Sequence, residues 1–93
     1  MFVGIVRIEL HLPAAGSLKD KRSVVRSLKE RIRARVHAAV AEVDHQDLWQ
    51  RCALGVAVVS GESHQVDEMI QAVRHIVDGV HEAQVLDWEE QRA

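Results

Sequence analysis

Glu42, Asp44, His45 and Asp47 place three carboxylates and an imidazole within six residues. Side chains of these types can hold a divalent cation through oxygen, or act as a proton-transfer pair. Strand alternation sends Glu42 and Asp44 to one face and leaves His45 in a turn. An acidic hairpin end, with Asp44 and His45 bonding the turn backbone, accounts for the same residues without chemistry, and it is the reading we adopt. The six histidines, His11, His37, His45, His64, His75 and His81, show no metal-motif spacing, and the single Cys52 has no Cys partner. There is no GxGxxG, no Walker-type loop and no GxSxG elbow. The expectation is therefore a non-enzymatic chain with no catalytic residues, metal or cofactor, in which Cys52 serves as a small buried hydrophobe.

The second chemistry is phosphate binding. Ser17 to Val36 holds eight of the twelve Lys and Arg residues and two acids, a net charge of +6, while the remainder has four basic residues against twelve acids, net −8. A total of −2 thus conceals a bipolar molecule. Leu18, Val25, Leu28, Ile32 and Val36 recur at helical spacing, and Ser17 with Asp20 fits an N-terminal cap. On the same wheel Lys19, Arg22, Arg26, Lys29 and Arg33 form a ladder ~21 Å long beside the apolar stripe. Lys19, Lys21 and Arg22 crowd the first turn, where the helix dipole disfavours cations. Those three cations and the free first-turn N–H groups would suit an anion. The candidate nucleic-acid contacts are Lys19, Lys21, Arg22, Arg26, Lys29 and Arg33. The plainer alternative is a solvated charged face.

The elements that must position these residues follow from periodicity. Phe2 to Leu12 alternates as a strand, with Phe2, Gly4, Val6, Ile8, Leu10 and Leu12 on one face and Val3, Ile5, Arg7, Glu9 and His11 on the other. Pro13 to Gly16 breaks it. After the basic helix, His37–Asp44 and Cys52–Ser60 read as a hairpin joined by His45–Gln50. Leu54, Val56 and Val58 should face the core. A second helix opens at Ser60–Ser63, carries the stripe Val66, Met69, Ile70, Val73, Ile76, Val77 and Val80, places Asp67 and Glu68 near its N-terminus, and ends near Gly79. Glu82–Trp88 reads as a last strand before a polar tail, Glu89–Ala93.

The order βαββαβ predicts one α+β domain over residues 1–93, a ferredoxin-like two-layer sandwich with a four-stranded antiparallel sheet and both helices on one face. The open face would carry Val3, Ile5, Gly55, Ala57 and Val59, an apolar collection that suggests an interface, most simply a homodimer. The alternative is a face covered by the tail, through Leu86 and Trp88. Trp49 either staples the hairpin to the helix layer or docks a partner, so the candidate interface residues are Val3, Ile5, Trp49, Ala57 and Val59. One Phe, two Trp and no Tyr disfavour base stacking on the sheet, so any nucleic acid should be held through its backbone. No apolar run has membrane-span length, and one cysteine without a signal peptide suggests a cytoplasmic setting.

The runs SLKDKRSVVRSLKERIR (Ser17–Arg33) and AEVDHQDLWQRCALGVAVVS (Ala41–Ser60), with Val3-Gly4 in the first strand, resemble the YlxP-like family, a bacterial domain of unknown function. The resemblance spans essentially the whole chain. Lys19, Asp20, Lys21, Arg22, Asp44, His45, Asp47, Trp49 and Arg51 follow the family pattern. It implies a small cytoplasmic ferredoxin-like protein without established activity and brings no catalytic residues. Family genes often lie near those for ribosome maturation and translation initiation, which implies an association with RNA or a ribosomal particle.

Overall fold

Ser17 has extended backbone, and its Oγ accepts a hydrogen bond from the Asp20 N–H at 3.0 Å. Asp20 Oδ2 in turn accepts from the Gly16 N–H at 3.0 Å. This reciprocal cap starts α1 (Leu18–Arg35) where the sequence places it. In the computed structural model, which describes residues 1–93, α1 is flanked by β1 (Phe2–His11) and β2 (Ala38–Asp44). β3 (Arg51–Ser60), α2 (Ser63–Asp78) and β4 (Gln84–Arg92) complete the chain.

The strands pair antiparallel throughout in the order β2-β3-β1-β4. Both helices cover one face, α1 over β2 and α2 over β1 and β3. The core lies between: Val6, Ile8 and Leu10 of β1, Leu54, Val56 and Val58 of β3, Val25, Leu28 and Ile32 of α1, and Val66, Ile70, Val73 and Val77 of α2. Each such side chain stabilises by roughly 1.5–3 kcal/mol. Cys52 belongs to this core; burial, then the nearby Glu42 carboxylate, pushes its thiol up to about 12. Gly4 lets α2 approach β1, since a Cβ there would stand 2.7 Å from Val66 Cγ1 and 2.8 Å from Ile70 Cδ1.

Three expectations are corrected. The polar tail is strand: β4 runs to Arg92 and pairs with β1 as far as Gly4, and Val3 and Ala93 exchange both backbone hydrogen bonds at 3.1 and 3.0 Å. A free β1 edge outweighs the weak strand propensity of Glu89–Ala93. Trp88 does not cover the open face; it pairs with Ile8, packs against the core and lies under the Arg74 guanidinium at 4.7 Å. A register shift between Glu9 and Leu10 leaves Leu86 exposed at the strand edge. Finally, α2 has no acid in its first turn, because it starts at Ser63; Asp67 instead pairs with Arg92 of β4.

Candidate nucleic-acid interface

Val25, Leu28 and Ile32 fix how α1 sits on the sheet, and Lys21 completes that buried stripe at i−4 from Val25. This corrects the candidate set. Lys21 is 1% exposed, and its Nζ lies 2.7 Å from Glu42 Oε2 while donating to the His45 carbonyl at 2.5 Å. It fastens the end of β2 to α1 and cannot reach a phosphate. The first turn therefore offers two exposed cations, Lys19 and Arg22, and its Asp20 N–H is already used by Ser17.

The remaining ladder is intact. Lys19, Arg22, Arg26 and Arg33 are exposed and Lys29 half-buried. Arg33 donates to the Val40 carbonyl at 2.8 Å, so the ladder runs along the free edge of β2. Its pairing differs from that of the basic residues outside α1. Arg7, Arg51, Arg74 and Arg92, the basic residues outside α1, all pair with carboxylates. No carboxylate lies within 4 Å of any ladder cation.

The acidic group of the hairpin separates. A bulge between Glu42 and Asp44 breaks strand alternation, so Glu42 turns into the helix layer toward Lys21 and Asp44 goes to the open face. Val43, the extra residue, lies over Gly55, where a Cβ would stand 2.8 Å from Val43 Cγ1. Glu42 and Asp44 therefore cannot share a cation or a proton. Asp44 joins a network centred on Glu9, whose carboxylate contacts Arg7 at 2.7 Å, Arg51 at 3.0 Å and His45 at 3.1 Å. Arg7 also reaches Asp44 at 3.3 Å. Burial pushes Glu9 upward, but the hydrogen bonds from Arg51 and Arg7 outweigh it and hold the carboxyl below its ordinary value. Asp44 is lowered by the His45 N–H and then by Arg7. The sequence reading overlooked this network, although Arg7 and Glu9 share a face of β1 and Arg51 shares the matching face of β3.

His45 adopts a left-handed backbone, φ 62°, which costs a non-glycine residue stability. Its N–H donates to Asp44 Oδ1 at 2.7 Å and its carbonyl accepts from Lys21 Nζ and from the Leu48 N–H at 3.0 Å. The far end of the loop is equally tied: Gln50 Nε2 donates to the Pro13 and Ala15 carbonyls at 3.2 and 3.3 Å. Between these ties Leu48 and Trp49 are about half exposed, so Trp49 does not staple the hairpin to the helices.

Of the other candidate interface residues, Val3 pairs with Val59 and Ile5 with Ala57 on the open face. Ile5, Ala57 and Val59 are exposed and Val3 half-buried. Trp49 does not join them. It lies beyond the opposite end of the sheet, with the Glu9 network between.

The family model described as "Protein of unknown function (DUF503)" matches residues 3–90. The chain belongs to this family. It is 32% identical over 80 residues to a Bacillus subtilis (strain 168) protein named "Uncharacterized protein YlxP", covering 86% of this chain and 87% of that one. Among solved structures, a de novo designed protein with ferredoxin fold, determined by solution NMR, matches with a TM-score of 0.57 at 12% identity, covering all of this chain and 84% of that one. The family membership and the ferredoxin-like fold expected from the sequence are thus both found. No helix is long and apolar enough to cross a membrane.

Proposed function

We propose that this protein is a non-enzymatic RNA-associated accessory factor that holds RNA backbone phosphates, free or within a ribosomal particle, through Lys19, Arg22, Arg26, Lys29 and Arg33. One observation carries the reading: the ladder cations lack carboxylate partners in a molecule that pairs every basic residue outside α1. Unpaired cations spaced along one helix face are free to displace counterions from a polyanion, which is the main driving force for sequence-independent nucleic-acid binding. Eight of the fourteen acids lie from Glu62 to Glu90, on α2, β4 and the turns beside them, and Glu42, Asp44 and Asp47 lie on β2 and its loop, so the net positive charge is confined to α1. That distribution orients the ladder toward an approaching polyanion. Fluorescence anisotropy with labelled RNA tests the proposal. The native protein should bind, and a variant with alanine at all five positions should not, while both keep the same circular dichroism. Equal binding by the two would remove the ladder from the account.

A second reading rests on the open face. Exposed Ile5 and Val43 border a shallow apolar depression with Ala39, Ala41 and Ala57, no segment of the chain covers it, and exposed Val59 follows two residues after Ala57 on β3. A second copy of the chain is the occupant that reading favours. The two surfaces lie on opposite layers, so a dimer would keep both ladders accessible.

A further inference from the structure

Trp49 is the one large aromatic side chain held out on a loop, 53% exposed, and the loop is fastened at both ends. The fastening points are informative. His45, four residues before Trp49, is held by Lys21, two residues after the first ladder cation Lys19. Gln50, the next residue, is held to Ala15, two residues before the α1 cap. A further bond, from the Leu12 N–H to the Gln50 carbonyl at 2.9 Å, fixes the backbone beside Trp49. β2 runs antiparallel to α1, with Arg33 bonded near its start at Val40 and Lys21 bonded at its end. The ladder therefore follows β2 along its length and leads to the loop that carries Trp49. An exposed indole on a tethered loop at the end of a row of unpaired cations combines the two elements of single-strand recognition, a cationic track for the backbone and a stacking platform for a base.

We propose that the ligand of the ladder is single-stranded RNA and that one of its bases stacks on Trp49. The inference rests on the phosphate-binding reading above and adds the strand state of the ligand and a base-contacting residue. It differs from stacking on the sheet, since the open face carries aliphatic residues and the Glu9 network. A duplex keeps its bases stacked inside and offers none to Trp49, so the loop should discriminate against it.

The test uses the full chain with Trp88→Phe, which leaves Trp49 as the sole fluorophore, and compares a mixed-sequence 12-nucleotide RNA with the 12-base-pair duplex of the same sequence. Should Trp88→Phe impair folding, the native spectrum minus that of Trp49→Ala reports the same signal. We expect the single strand to quench Trp49 emission and the duplex not to. Trp49→Ala should weaken single-strand binding roughly tenfold or more, leave duplex binding unchanged and keep the salt dependence, because the phosphate contacts remain. Trp49→Phe should retain most of the affinity. Single strand and duplex binding equally, with Trp49→Ala without effect, would overturn the stacking proposal and leave the ladder in place. Absence of binding to either RNA would overturn both readings.

Discussion

Lys21 shows how one residue type takes opposite roles along one helix. Its neighbours Lys19 and Arg22 face solvent, whereas Lys21 lies in the core against Glu42 and the His45 carbonyl. Lys21→Ala should cost about 3 kcal/mol, because it leaves the Glu42 carboxylate and the His45 carbonyl without their cation. The pair Lys21→Met with Glu42→Leu should recover most of that loss, which urea titration of the single and double variants would show. The Glu9 network makes a pH prediction. Glu9 and Asp44 are both held below their unfolded values. Their contribution is complete above the unfolded pKa values, near 4, and is lost as pH falls through the lower folded ones. The urea midpoint should fall on acidification below about pH 4. Glu9→Gln should lower stability at pH 7 and make that acid loss shallower. The sequence already held the clue to Lys21, since Lys21, Val25, Leu28 and Ile32 are spaced four, three and four apart. A lysine on an apolar stripe reads as exposed until its carboxylate partner is known, and Glu42 lies on another element.

At the scale of elements, periodicity located β1, β3, both helices and the capped start of α1, because each buries one face against the core and repeats its apolar residues accordingly. It missed the end of β4, where Glu89 to Arg92 are polar and pair with β1 through backbone groups that carry no side-chain signature. It also missed the bulge at Val43, which separates Glu42 from Asp44, since a one-residue insertion is set by the pairing partner and not by composition. The extended β4 makes its own prediction. Removing Glu89–Ala93 exposes the β1 edge from Val3 to Arg7, and should reduce stability by about 2 kcal/mol or more through lost ladder hydrogen bonds. Hydrogen exchange should show faster exchange along that half of β1 while β2 and α1 keep their protection.

The whole molecule separates its surfaces. The ladder cations line the β2 side, more than half of the acids lie on α2, β4 and the turns beside them, and the apolar half of the open face lies on the layer opposite the helices. Val59→Glu should shift a concentration-dependent dimer to monomer in light scattering without changing the fold, since Val59 is 54% exposed. A protein that stays monomeric at every concentration would set the dimer reading aside. RNA binding should be unaffected by Val59→Glu, because the ladder lies on the other layer. The central claim is that five unpaired cations track phosphates, and the most direct measurement is the salt dependence of RNA affinity. Five phosphate contacts on a single strand predict a slope of log K against log salt of about −3.5 for the native protein. Stepwise alanine substitution along Lys19, Arg22, Arg26, Lys29 and Arg33 should flatten that slope by about 0.7 per position. A slope near zero, or one indifferent to these substitutions, would contradict the account.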